Sequence, residues 1–174
     1  MAVGNLELID KTEITSSVSS VDITDVFSDK YDVYKIVTNG IEDTTNTPSV
    51  HLRFINYSGS VVSASNYDYA YLNMASNTAF AELRATNESY IRGVFGFSSA
   101  NDTQGSVAYI FNPYSSSSYT FSLYQMSSVN TTLRSIKGIG VLKQTTSMTG
   151  FQVFDIDSTD FSEGIIRTYG LASN

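Results

Sequence analysis

Hydrophobic and polar positions alternate with a period of two along most of this chain. The clearest run is Val50, Leu52 and Phe54 on one face, with His51 and Arg53 on the other. That alternation predicts a strand with one buried and one wet face. Just upstream, Tyr31 to Val37 mixes β-branched and aromatic residues with charges in the same rhythm. The polar stretch Thr38 to Ser49 between them reads as a long hairpin-like loop, which makes these two strands the expected centre of the fold. The same period recurs in Leu6–Ile14, Val21–Asp25, Tyr67–Leu72, Tyr90–Phe97, Val107–Phe111, Tyr119–Tyr124, Ile136–Leu142, Met148–Asp157 and Gly164–Leu171. Val107–Phe111 is apolar at nearly every position and reads as covered on both faces. Asn73–Asn87 is alanine-rich, but Ser76-Asn77-Thr78 and the lack of a 3.6-residue period argue against a helix there.

About nine short strands with polar turns predict an all-β, antiparallel β-sandwich, jelly-roll-like, with residues 1–174 forming one domain. The expected core is Val50, Leu52, Phe54, Phe95, Val107, Tyr109, Phe111, Phe121, Ile165 and one of Phe151 and Phe154. Those two phenylalanines are three apart, so in a regular strand only one faces the core unless both faces are covered. A chain of 174 residues buries roughly 70% of its extended surface, enough for a core without staples. It contains no cysteine, which excludes disulfides and thiolate metal sites.

Composition narrows the functional classes. The net charge is −7 with only 10 Lys and Arg, so a phosphate-binding basic stripe, and with it nucleic-acid binding, is not expected. No apolar run reaches the length of a membrane span, and the first ten residues show neither a basic region nor an apolar run of a secretory signal. No membrane insertion is expected.

Candidate chemistry is sparse. His51 is the only histidine; mid-strand and opposite Val50 and Leu52, it reads as a solvent-facing residue rather than a catalytic base. No nucleophile elbow, phosphate loop or zinc-binding helix motif occurs, so no catalytic or cofactor-binding residue is assigned, no cofactor is expected, and the chain reads as not an enzyme. Asp155, Asp157 and Asp160 bring carboxylates together near a strand end, the residue type Ca²⁺ prefers. Their spacing is not that of an EF-hand, and a solvated acidic loop is the simpler reading. Tyr67, Tyr69 and Tyr71 form an aromatic stripe that fits an inward strand face better than a sugar-stacking platform. Tyr114 and Tyr119, flanking Ser115–Ser118, are the better candidates for exposed contact residues.

The order of Ser19–Asp25, Tyr31–Val37, Leu52-Arg-Phe and Ser65–Tyr69, followed by Val107–Pro113, Lys143–Thr146 and Gly164–Leu171, resembles β-sandwich modules of bacteriophage virion proteins, especially of marine and cyanobacterial phages. The resemblance implies a structural protein on the virion surface, synthesised in the host cytoplasm. Its expected role is a capsid decoration or cement protein. The alternative is a tail-fibre or receptor-binding module contacting host glycans or an envelope protein. Other virion proteins, capsid or tail subunits, would be the partners, with a homo-oligomer, such as a trimer, compatible with either role. No functional residue is carried over.

Overall fold

The computed structural model describes residues 6–43, 50–96, 104–130, 132–156 and 160–172. Among them twelve strands form, in chain order: β1 (Leu6–Ile14), β2 (Ser20–Ile23), β3 (Val33–Asp43), β4 (Val50–Asn56), β5 (Tyr67–Ala75), β6 (Ala81–Glu88), β7 (Ile91–Phe95), β8 (Gly105–Phe111), β9 (Thr120–Asn130), β10 (Thr132–Leu142), β11 (Met148–Asp155) and β12 (Phe161–Leu171). That is three more than the nine expected, and the alanine-rich segment supplies one of them, β6. All pairings are antiparallel, in an eight-stranded sheet ordered β1-β12-β3-β8-β9-β10-β5-β6 and a four-stranded sheet ordered β2-β11-β4-β7. The all-β antiparallel sandwich expected from the alternation is therefore the fold.

The supposed central hairpin is not one. β3 lies in the large sheet and β4 in the small sheet, and β3 runs on through Asn39, Gly40 and Ile41, which the sequence assigns to a loop. Gly40 adopts a φ of 58° and donates its N–H to the Gln104 carbonyl at 3.0 Å, so the turn-forming Asn-Gly pair kinks a strand without ending it. Facing each other across the sandwich, the inward sides of β3 and β4 meet in one core with Tyr34, Ile36, Leu52, Phe54, Phe95, Ile110, Phe151 and Ile166 all buried.

Aromatic side chains fill that core and their polar ends are satisfied. Phe27 packs edge-on against Tyr34, with ring centroids 4.7 Å apart, and stacks on Phe151 at 5.8 Å. The Tyr67 hydroxyl donates to the Val62 carbonyl at 2.9 Å and accepts the Phe54 N–H at 3.0 Å. Tyr34 makes the equivalent pair with Ser28, donating to its carbonyl and accepting its N–H. A buried tyrosine is stable only when its hydroxyl is paired in this way. Tyr67 and Tyr69 are thus core residues, as the inward reading of the tyrosine stripe requires.

The outer side of the small sheet is also covered around β4, and this corrects the reading of His51. Its ring is fully buried, stacked on Tyr90 with centroids 4.6 Å apart and planes 3° from parallel, with Phe154 edge-on at 5.6 Å. The chain linking β6 to β7 folds over the outer side of β4. There Arg53 Nε donates to the Ser89 carbonyl at 3.0 Å, and its guanidinium lies 4.0 Å from the centroid of the Phe154 ring. Phe151 and Phe154 are therefore both buried, one on each covered face of β11.

Candidate functional site

The large sheet behaves differently, and its strands β9 and β10 show how. In β9 the inward residues are Ser122, Tyr124, Met126 and Ser128, all buried, while Phe121, Leu123 and Val129 point outward and are exposed. In β10 the inward positions include Gly138, Gly140 and Leu142, and Ile139 is 55% exposed on the outer side. Large apolar residues thus stand on the solvent side, while serines and glycines share the core side with Tyr124, Met126 and Leu142.

Tyr124 and the two glycines set this orientation. A Cβ at Gly138 would occupy the space of the Tyr124 ring, and one at Gly140 would meet Ile91 at 2.7 Å and the Ser122 hydroxyl at 2.8 Å. Gly138 and Tyr124 are direct register partners, so the glycine leaves the slot the tyrosine fills. The Tyr124 hydroxyl then reaches the Arg92 carbonyl at 3.0 Å. Burial pushes that phenol well above its ordinary pKa, so it acts as a neutral donor. Shifting the register by one residue would place Leu123 inside but would drive Tyr124 out and leave its slot empty.

The outward residues line up across strands. Tyr109, Leu123, Ile139, Ala70 and Arg84 are successive register partners through β8, β9, β10, β5 and β6. Two adjoining depressions open on this row, of about 560 Å³ and about 660 Å³. Ala70, Arg84, Leu123 and Ile139 line both. Leu72 and Val107 extend one, and Phe111, Phe121 and Val141 the other. The surface is an apolar furrow in an open sheet face.

Cations rim it. Arg84 and Lys137 lie on its lining, and Lys35 Nζ sits 6.0 Å from the centroid of the Tyr109 ring. Glu82 is 3.9 Å from Arg84. Asp68 is held by Lys143 at 2.8 Å, and the hydrogen bonds from Lys143 and the Asn87 N–H keep its carboxyl below the usual range. The two carboxylates on the lining, Glu82 and Asp68, thus each have a cation within 3.9 Å, so both signs of charge border the apolar centre. Apolar centre and charged rim form the pattern of a protein-binding surface.

Four expected core residues, Val107, Tyr109, Phe111 and Phe121, line this furrow instead. Tyr109 and Phe121 are exposed and Phe111 is half-buried, so β8 is covered on its inner side alone, where Ala108 and Ile110 are buried. Val107 is also half-buried, as is Ile165, whose neighbour Ile166 takes the inward place. Sequence reasoning missed Leu123, Ile139 and Arg84 as surface-site residues. The signal was the Gly138-Ile139-Gly140 alternation, because two glycines on one face mark close packing there and send the isoleucine to the other.

The acidic candidates do not converge among the described residues. Asp155 is buried at the end of β11 opposite Val50, while Asp160 accepts a hydrogen bond from the Ser17 hydroxyl at 2.6 Å. Asp157 lies outside the described residues. No group of three or more metal-ligating side chains forms among those described. Tyr114 and Tyr119 are 39% and 44% exposed in the β8–β9 connection, at the end of the furrow marked by the Phe111–Phe121 register pair.

No family model matches this chain, and no curated protein matches it. The resemblance to bacteriophage modules therefore has no sequence-level support beyond the motifs themselves. Similar solved structures include a marine PL-14 alginate lyase from Aplysia kurodai, at 8% identity and TM-score 0.34, covering 85% of this chain and 72% of the lyase. A Bacillus endospore appendage, one of a family of disulfide-linked pili, matches at 12% identity and TM-score 0.22 over 99% of this chain and 96% of its own. The VP2 subviral particle of infectious bursal disease virus matches at 11% identity and TM-score 0.19, over 97% of this chain and 37% of VP2. With alginate lyases from Aplysia and Alteromonas among these neighbours, the expectation that the chain is not an enzyme is withdrawn. At such TM-scores the likenesses carry no argument for a lyase, a pilus or a capsid role either.

Proposed function

We propose that this chain is a structural protein of a bacteriophage virion surface, a capsid decoration or cement protein that docks on neighbouring subunits through the outer furrow of its large sheet. The observation that carries the reading is the inverted alternation of β9 and β10. Phe121, Leu123 and Ile139 are spent on the outer face of β9 and β10, while Ser122, Ser128, Gly138 and Gly140 share the inner face with Tyr124, Met126 and Leu142. Exposed apolar side chains grouped in a concavity and rimmed by charge are the mark of a surface built to be covered. Tyr109, Phe121 and the loop tyrosines Tyr114 and Tyr119 serve as anchors, since aromatic side chains supply much of the energy of such contacts. The virion setting rests on the resemblance of the strand motifs to phage modules.

Quantitative mass spectrometry of purified particles tests the setting. Abundance close to that of the major capsid subunit supports decoration. Abundance at the level of a tail fibre transfers the furrow and the loop tyrosines to a receptor-binding role, and absence from particles removes both readings.

A further inference from the structure

Among the described residues the eight-stranded sheet has two free edges, β1 and β6, and they are built differently. β1 carries a bulge between Leu8 and Asp10, and its Lys11 is already closed onto Glu13, whose carboxyl also feels Arg167. A bulged edge with its charges engaged resists further pairing. β6 keeps an unbroken ladder with β5 from Ala81 to Ala85, and the register shifts only beyond Ala85, towards Asn87 with its φ of 57°. Ala81–Ala85 is thus a straight edge, and among the described residues no strand occupies its open side. Such an edge is a template for another strand.

Its side chains specify which strand. Glu82 and Arg84 lie on the outer face, 80% and 82% exposed at their side chains, and they are only loosely paired with each other at 3.9 Å. Leu83, between them, faces the other way and packs against the core.

We propose that a second copy of this chain binds here, with β6 pairing antiparallel to β6 about a two-fold axis normal to the sheet and Leu83 opposite Leu83. In that register Glu82 of each copy opposes Arg84 of the other, giving two reciprocal ion pairs on the outer face, and Ala81 opposes Ala85. Sliding the strands by two residues one way sets Glu82 against Glu82, and the other way sets Arg84 against Arg84. Like charges directly opposite are destabilising, so the sequence selects the first register from the three. A slip by one residue would put outward side chains on the inner face and is excluded by the same period. The pairing joins two eight-stranded sheets into one and places the two furrows side by side, because Arg84 lines both depressions and β6 forms their wall. An isologous contact of this kind closes on itself and makes a dimer, not a fibre.

Sedimentation velocity over a concentration series tests this, with hydrogen exchange reporting on the Ala81–Ala85 amides. The wild type is expected to dimerise, and those amides to gain protection as it does. Arg84→Glu alone and Glu82→Arg alone each turn both attractive pairs repulsive and should raise the dimer Kd by about tenfold or more. The double reversal, Glu82→Arg with Arg84→Glu, restores the pairs and should restore the dimer. Circular dichroism verifies that these exposed substitutions leave the fold intact. A wild type that stays monomeric throughout the series overturns the proposal. So does a dimer indifferent to both single reversals, and if that dimer is lost in Leu123→Asp, two outer faces form the contact instead of two edges. None of these results bears on whether the chain is found in virions, which the particle measurement decides by itself.

Discussion

Strands β4 and β9 have the same alternation on paper and opposite relations to water. Along β4 both sides are covered: Val50, Leu52 and Phe54 by the opposing sheet, His51 by the segment around Tyr90. Along β9 one side alone is covered, and it is the side bearing Ser122, Tyr124, Met126 and Ser128. Period two fixes that two faces exist; it does not say which of them meets the core. Neighbouring strands decide that. For β9 the deciding neighbour is β10, whose glycines accept Tyr124 on one face only.

The largest effect expected from breaking this comparison is at Phe54. It is fully buried, stacked 6.3 Å from Tyr67, with the Phe27 ring tilted against it at 6.4 Å. Phe54→Ala should cost about 3 to 5 kcal/mol in urea unfolding through lost transfer energy and the cavity left behind. A loss below about 1 kcal/mol would place Phe54 outside the core.

The covered outer face of β4 is probed by pH. Burial lowers the pKa of His51 to about 3, with Arg92 and Arg53 adding to the effect; the Gly93 N–H donates to its Nδ1 at 3.4 Å, and its Nε2 has no hydrogen-bond partner among the described residues. The folded state thus refuses a proton that the unfolded chain accepts near pH 6.5. The stability contributed by neutral His51 is complete above pH 6.5 and falls as pH drops from 6.5 towards 3, by up to about 1.4 kcal/mol per pH unit. Thermal unfolding at pH 7, 6 and 5 should show this slope, and His51→Phe should flatten it. The exposed carboxyls of Glu7, Glu13 and Asp68, held low by their lysine and tyrosine partners, respond at more acid pH. Glu42, held above the usual range by desolvation and by Glu163, instead adds stability as it is protonated and opposes the slope, so the difference between wild type and His51→Phe carries the assignment. An unchanged slope in His51→Phe would assign the acid sensitivity elsewhere.

Gly138 tests what sets the orientation of β9 and β10. Its Cβ position is taken by the Tyr124 ring, so Gly138→Ala should destabilise by about 1 to 3 kcal/mol through overpacking. Tyr124→Leu in the same chain should relieve part of that loss, a coupling measurable in a double-mutant cycle. Strict additivity would remove Gly138 as the register pin.

How far these features could be read from sequence follows from the same contrast. Local alternation suffices for strand identity, and it marked Leu6–Ile14, Val50–Phe54 and Gly164–Leu171 correctly. Val50, Leu52, Phe54 and Phe95 were legible as core because bulky apolar residues stand against polar ones there. Tyr109 and Phe121 defeat the sequence pattern because bulk does not pick the inward residue there; the inner face is chosen by fit to Gly138 and Gly140 across the strand. His51 was misread for the converse reason: its cover, Tyr90, comes from 39 residues further along the chain, and no local pattern reports a non-local lid. The split of β3 and β4 between sheets was likewise invisible, since a turn-rich connection serves a crossover as well as a hairpin. The furrow inherits these misreadings, because every residue that makes it was assigned either to the core or to nothing.

The smallest effect on stability is expected at the furrow, where the largest effect on assembly is expected. Leu123 and Ile139 are 48% and 55% exposed, so Leu123→Asp with Ile139→Asp removes little that folding buries. Unfolding free energy should stay within about 0.5 kcal/mol per site of the wild type, as for surface substitutions generally. A carboxylate at the centre of a covered apolar contact, by contrast, loses its water without gaining a partner, which costs several kcal/mol of binding. The double variant should therefore fold normally and fail to incorporate into particles. Replacing the rim lysine in Lys137→Gln should lower incorporation only slightly, because an exposed rim charge contributes little to affinity. Wild-type incorporation of the double aspartate variant would show that the furrow is not the attachment face, and would leave the outward apolar side chains of β9 and β10 in need of another explanation.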